Sequence, residues 1–282
     1  MTGLLEGRVA VVTGAARGQG RSHCVRLAEE GADIIALDIC DQVDTVRYPL
    51  ATEGDLGETV KLVEGLGRRI VASQTDVRDS QAVRAAVDHG VTELGRLDTV
   101  VANAGILTIR SATEIDDAIW SETIDTNLTG AWNVCRASIH HLIDAGRGGA
   151  MILKASRAAD KGAPGLVHYC ASKGGLVGLM RGLAAELGPH MIRVNTVHPT
   201  SVDTEMIHNE PTYGAFLPNG PTTDAPDAFR TDLASIMTTS HALPVPWLEP
   251  VDVSNMVVFL ASDMGRYISG STVSVSAGNE CT

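Results

Sequence analysis

Several common signatures are missing from this sequence. No apolar run approaches the roughly 18 residues of a membrane-spanning helix, and the start, Met1 to Glu6 and then Arg8, lacks the basic opening and long apolar core of a secretory signal. Both absences point to a soluble, cytoplasmic chain without a membrane partner. Lysine and arginine form no block, and 22 basic against 34 acidic residues leave a net charge of −12. That field repels phosphate backbones, which argues against nucleic acid as a partner. Cysteine is scarce and odd in number: Cys24, Cys40, Cys135, Cys170 and Cys281, with no C-x-x-C pair. This excludes a disulfide framework and a cysteine zinc site. The nine histidines contain no H-E-x-x-H and no i, i+4 pair. His140 and His141, adjacent on a predicted helix, are expected to point in different directions, so no metal site is expected. There is no internal repeat and no low-complexity tail.

What is present is glycine, 29 residues in 282, in a chain that is 44% apolar. A usual share is about 7%, so the excess implies many tight turns between buried segments. Short β-branched runs occur at Arg8 to Thr13, Asp33 to Leu37, Arg69 to Gln74, Thr99 to Ala102, Ala150 to Lys154, Ile192 to Val197 and Thr272 to Val275. Helical periods lie between them, around Gly20 to Glu30, Thr59 to Leu66, Ser80 to Leu94, Thr123 to Ala145, Gly174 to Leu187 and Val251 to Ala261. This alternation predicts one doubly wound, Rossmann-type α/β domain, a seven-stranded parallel sheet with helices on both faces. Right-handed crossovers place the chemistry along one sheet edge, where strand order reverses.

Two connections are too long for ordinary turns. One is an insertion from Cys40 to about Ala51, ended by a predicted capping box of Thr52 and Asp55. The other, about Thr204 to Pro250, holds seven of the 11 prolines and reads as a substrate lid.

Directly after the first strand comes Thr13-Gly14-Ala15-Ala16-Arg17-Gly18-Gln19-Gly20. Glycines there allow a tight turn and close approach of a pyrophosphate to the N–H groups of the next helix. Asp38, 18 residues past Gly20, can accept both ribose hydroxyls of an adenosine and repels a 2′-phosphate, favouring NAD over NADP. Arg17 either supports a 2′-phosphate or faces solvent or the pyrophosphate.

The Gly14, Gly18, Gly20 spacing together with Tyr169-x-x-x-Lys173 resembles the short-chain dehydrogenase/reductase superfamily over nearly the whole chain. By that resemblance Asn127, Ser156, Tyr169 and Lys173 form the catalytic tetrad. Arg17, Gln19 and Ile39 join Gly14, Gly18, Gly20 and Asp38 at the cofactor, Asp76 and Val77 contact the adenine side, and Asn103-Ala104-Gly105 follows strand four. Pro199, Val202 and Thr204 close on the nicotinamide carboxamide. The chemistry suits those residue types. A free tyrosine, with a pKa of about 10, is a poor base near neutrality, but the Lys173 ammonium and an oxidised nicotinamide both favour its phenolate. In the implied reaction Tyr169 takes an alcohol proton, Ser156 holds the substrate oxygen, Lys173 also holds the nicotinamide ribose, and Asn127 organises a proton relay.

A narrower resemblance lies in Gly14 to Ala32, Asp38-Ile39-Cys40, the insertion, His198-Pro199-Thr200 and Pro244-Val245-Pro246-Trp247. These are similar to the mycofactocin-associated, carveol-dehydrogenase-like branch of actinobacteria. It implies a secondary alcohol or ketone as substrate, tightly held NAD, the external electron acceptor mycofactocin, and a homotetramer. An ordinary dehydrogenase or ketoreductase with exchanging cofactor, and a nicotinamide-binding sensor without turnover, are the rival readings. The insertion either covers the NAD or is a surface elaboration or subunit contact. Ala102, Ala155 and Thr200 depart from the superfamily pattern without removing a catalytic group. Lys154 departs more sharply: on a predicted central strand, it is either a substrate-specific cation or, the preferred reading, a structurally paired lysine. Cys170, beside Tyr169, is a reactive thiol or, preferably, a packing residue.

Overall fold

A computed structural model of the chain describes residues 3–223 and 225–282. Seven strands form one parallel sheet: β1 (Val9–Thr13), β2 (Asp33–Asp38), β3 (Ile70–Gln74), β4 (Thr99–Ala102), β5 (Gly149–Lys154), β6 (Ile192–Pro199) and β7 (Thr272–Val275). Their order is β3-β2-β1-β4-β5-β6-β7. The order reverses between β1 and β4, so the C-terminal ends of those strands open a crevice, the usual ligand position in such sheets. β1, β2 and β4 are buried at every residue, because helices cover both faces.

The helices are α1 (Gly18–Glu29), α2 (Glu53–Gly65), α3 (Ser80–Leu94), α4 (Asp117–Ile124), α5 (Gly130–Ala145), α6 (Val167–Leu187), α7 (Glu210–Phe216), α8 (Ala228–Thr238) and α9 (Pro250–Ala261). Two apolar layers sandwich the sheet. On one face Val87 of α3, Val134 of α5 and Met180 of α6 pack with Val11, Ile35 and Met151. On the other, Leu27 of α1, Val63 of α2 and Val257 of α9 pack with Val12, Ile34 and Ile152. Alternate residues of one strand thus feed opposite layers.

Several boundaries move from the sequence reading. α2 begins at Glu53, where Thr52 and Asp55 form the expected capping box, while Gly54 and Gly57 had weakened the helical period in its first turns. The segment expected as one helix from Thr123 is α4, then a π-helical turn (Asp125–Thr129), then α5. His140 and His141 do not diverge: both Nε2 atoms turn to Oδ1 of Asp88 on α3, at 3.6 and 2.6 Å, with ring centroids 3.8 Å apart. The acidic partner across the helix pair overrides the divergence expected from adjacent positions.

Gly90 lets α3 sit directly on β2. A Cβ there would lie 2.7–2.8 Å from three side-chain carbons of the buried Ile35. Gly90→Ala is therefore expected to destabilise the fold by about 1–3 kcal/mol, the usual cost of overpacking, even though alanine is the better helix former. A lower urea midpoint at unchanged slope would show it; a higher midpoint would refute the close packing.

Candidate active site

The crevice holds about 1090 Å³ of space open to solvent. At its floor lies the turn between β1 and α1. Gly14 and Gly18 have φ of 65° and 51°, in the left-handed region that favours glycine. A Cβ on Gly20 would lie 1.8 Å from the carbonyl oxygen of Gly14, so no side chain fits there. Arg17 caps α1 without a side-chain hydrogen bond, and the first turn carries no acidic residue, which leaves the positive helix end facing the cleft.

The buried carboxylate of Asp38 ends β2 and accepts hydrogen bonds from the backbone N–H of Ala16 (2.9 Å) and Cys40 (3.1 Å), one on each oxygen. Each oxygen keeps lone pairs for a further donor. Arg17 lines the cleft, and its guanidinium donates to the carbonyl of Pro49 in the insertion at 2.7 Å, which leaves its other N–H donors available. Gln19, Gly20, Ile39, Asp76, Val77, Asn103, Ala104 and Gly105 line the same cleft with Tyr169, Lys173 and Thr204. Pro199 and Val202 are not among its lining residues; Pro199 ends β6, and Val202 is buried where it bridges to Leu248. Both set the course of the chain toward Thr204, whose methyl would meet a Cβ on Gly18 at 3.3 Å.

Asn127 sits in the π-helical turn. Its Oδ1 accepts from Ile106 N–H (2.8 Å), and its Nδ2 donates to the Ile106 carbonyl (3.1 Å) and Ser172 hydroxyl (3.2 Å). A single π turn often re-aims a functional side chain. A Cβ on Gly105 would lie 3.2 Å from this Oδ1 and 3.3 Å from Nζ of Lys173, so the two functional groups flank one glycine. Tyr169 and Lys173 share a face of α6, with the ammonium 5.5 Å from the phenol ring centroid, and Nζ donates to the carbonyl of Lys154 at 2.9 Å. The Ser156 hydroxyl accepts from Ala158 N–H (3.1 Å), and its hydrogen bond to the phenol favours the phenolate.

Electrostatics revise one expectation. Burial pushes the Tyr169 phenol up to about 12, outweighing the Ser156 hydrogen bond. Burial also draws Lys173 down to about 8. Lys173 alone therefore does not make the phenol acidic, because desolvation disfavours the charge on both partners. A second correction concerns Lys154. It is buried and lines the cleft, and its Nζ has no partner among the described residues, so it is not the paired lysine expected.

Sequence reasoning missed other lining residues, among them Val43, Tyr48, Ile106 and Met206. Val43 and Tyr48 of the insertion pack with Val46, Ile106 and Met206 in a separate apolar cluster. Their signal was an apolar residue every few positions in an otherwise polar loop. Asp88, His140 and His141 bring ligand atoms within 4.8 Å of one another at the α3–α5 surface, and none lines the cleft.

Residues 8–213 match the short chain dehydrogenase family. The chain belongs to that family. It is 48% identical to (-)-trans-carveol dehydrogenase of Rhodococcus erythropolis over 275 residues, covering 97% of this chain and 98% of that one. A crystal structure of carveol dehydrogenase from Mycobacterium avium in complex with NAD superposes with a TM-score of 0.95 at 50% identity, covering both chains fully. A short chain dehydrogenase from Mycobacterium paratuberculosis bound to NAD matches with a TM-score of 0.90 at 43% identity, covering 99% of this chain and 100% of that one. The residues fit such a dinucleotide: Gly20 lets the turn close onto the Gly14 carbonyl at the start of α1, and the buried Oε1 of Gln19 at the cleft is without a partner among the described residues.

Gly20→Ala forces its methyl into the Gly14 carbonyl, a backbone atom that cannot rotate away. The variant is expected to lose dinucleotide binding by at least tenfold, about 1.4 kcal/mol, in a titration followed by nicotinamide fluorescence. Unchanged affinity would show that the turn is not the binding floor.

Proposed function

We propose that this chain is an NAD-dependent dehydrogenase that oxidises a secondary alcohol, holds its NAD through successive turnovers, and passes electrons to mycofactocin as external acceptor. The relatives named above support the alcohol and the cofactor. The observation that carries retention is the apolar cluster in which Val43, Val46 and Tyr48 of the insertion meet Ile106 and Met206 over the cleft. The insertion is braced at both ends, by Cys40 N–H on Asp38 and by Pro49 O on Arg17. Thr45 adds hydrogen bonds to Glu122, its backbone N–H at 3.1 Å and its hydroxyl at 2.5 Å. A cover fixed at several points slows release, and each additional 1.4 kcal/mol slows it about tenfold if association is unchanged.

In this reading the nicotinamide, when bound, accepts the hydride from the carbinol carbon. Tyr169 takes the hydroxyl proton, and Ser156 hydrogen-bonds the substrate oxygen. Lys173 faces the phenol and holds the nicotinamide ribose. Asn127 holds the Ile106 backbone and thereby one wall of the cleft, beside the start of a proton relay. Asp38 takes the adenosine ribose, with Asp76 and Val77 at the adenine and Pro199, Val202 and Thr204 bringing the chain to the carboxamide. The segment from about Thr204 to Pro250 is the substrate lid. Its base is anchored by Arg230, which pairs with Asp203 at 2.5 Å and lies 4.6 Å from the Trp247 ring centroid. A homotetramer is the assembly proposed.

Tyr169→Phe keeps the ring and removes the proton acceptor. Turnover is expected to fall by at least about a hundredfold with NAD content unchanged; near-normal turnover would refute the assignment. Purified wild type is expected to carry NAD, to reduce it once with alcohol, and to stall until mycofactocin or an artificial acceptor is added. Free NAD should give no rescue. Replacing Cys40 to Ala51 by a four-residue turn should release the nucleotide with the fold intact, measured by cofactor content and circular dichroism. Unchanged retention would reject the covering role.

A further inference from the structure

Lys154 is the last residue of β5 and is 4% exposed. Its backbone oxygen is taken by Lys173, while its own Nζ is buried without a partner among the described residues. In register it lies beside Val197, whose side chain packs in the layer of α1 and α9 with Ile152, two residues before Lys154. Strand alternation therefore turns Lys154 toward the face of α1 and α9, beneath the glycine turn.

His23 of α1 is also fully buried. Its Nδ1 lies 2.8 Å from the Ser254 hydroxyl, which in turn lies 2.8 Å from the Ser22 hydroxyl and 3.0 Å from the Pro250 carbonyl. Its Nε2, like Nζ of Lys154, is buried without a partner among the described residues, and Lys154 acts on the ring electrostatically.

The remaining groups around Lys154 add no negative charge in contact with it. Lys173 of α6 and His198 of β6 act on it or feel it, and the carboxylate of Asp160 behind His198 is engaged by that ring at 2.7 Å and by Arg157 at 2.9 Å. Burial first, and Lys173 second, hold the Lys154 amine well below the ordinary lysine range. His23 is lowered by burial and then by Lys154, with Asn103 acting the other way. In the free protein burial without a partner therefore works against the charged amine. A dinucleotide changes this field: each phosphate carries a negative charge, and the nicotinamide is positive only when oxidised.

We propose that Lys154, buried and unpartnered in the cleft wall, is a proton-binding subsite of the dinucleotide cleft: its amine takes up one proton when the cofactor enters and holds it more firmly against the reduced than the oxidised nicotinamide. The hydride chemistry is unchanged; Lys154 adds only a proton that favours the reduced cofactor on the protein. The inference rests on the reading that the cleft holds NAD. The sign follows from linkage. A group whose affinity for protons rises on binding makes cofactor affinity fall as pH rises, by at most about tenfold per pH unit for one proton.

The test uses the full chain, freed of retained nucleotide with charcoal, and NADH as probe. Calorimetry at pH 7 in two buffers of different ionisation enthalpy counts protons. Wild type is expected to take up protons, more with NADH than with NAD, and its NADH affinity should fall severalfold between pH 6 and 8. Lys154→Met should still bind NADH but take up fewer protons and lose most of that pH slope, keeping only the share of Lys173. Lys154→Gln, neutral and polar, should behave alike and serves if the methionine variant fails to fold. Equal proton uptake and slope in wild type and variants would overturn the proposal, as would wild type taking up no proton. NADH binding to neither protein at any pH would instead overturn the reading of the cleft, and this inference with it.

Discussion

The floor of the cleft depends on one carboxylate. Asp38 ends β2, and its two oxygens accept the N–H groups of Ala16, in the glycine turn, and Cys40, the first residue of the insertion. A buried carboxylate is costly unless it is hydrogen-bonded, and hydrogen bonds to a charged acceptor are among the stronger ones. Cys40 reaches its bond with φ of 48°, a left-handed conformation uncommon outside glycine, and the bond to Asp38 holds it there. The next links extend the same body. Arg21 donates to the Ala16 carbonyl (2.6 Å) and the Asp55 carbonyl (2.9 Å), which couples the turn to the first turn of α2. Arg17 couples it to Pro49. Turn, insertion and α2 therefore stand or shift together.

Much of this was legible because it rests on local pattern. β4 and β7 fall at the expected residues, and α3 runs over Ser80–Leu94 as its apolar period implied. The glycine turn, Asp38 and the Tyr169–Lys173 pair could be placed because their spacing along the chain is itself the constraint. What local pattern could not supply was tertiary. α6 begins at Val167 rather than near Gly174, since burial of His168 and Ser172 outweighs the glycines Gly174 and Gly175 that break the period. The π turn around Asn127 leaves no mark in a 3.6-residue period. The convergence of His140 and His141 needed Asp88 from another helix. Lys154 carried a legible anomaly, a lysine on a buried strand, but whether a partner existed depended on α1, β6 and α6 together.

The insertion illustrates how sparse apolar residues can pack at a distance from the core. Val43, Val46 and Tyr48 belong to neither layer of the sheet sandwich, and their partners Ile106 and Met206 come from the segments after β4 and β6. Burial also pushes the Tyr48 phenol up to about 12, so its ring stays neutral and its apolar body packs. The insertion is thereby packed against the segments that follow β4 and β6 at once.

The cleft's chemistry follows from the same exclusion of water. Tyr169 is pushed up, and Lys173, Lys154 and His23 are pushed down, in each case with burial as the largest cause. Every one of these shifts favours the neutral form, so burial opposes both the phenolate and the cations beside it in the free protein. Charge then enters with the ligand. Bound phosphates would favour ammonium at the lysines and an oxidised ring would favour phenolate at Tyr169, an influence that reduction would withdraw. A phenol that yields its proton more readily beside an oxidised ring, and regains it after reduction, would follow from desolvation and the changing charge of that ring alone, with the side chains in place.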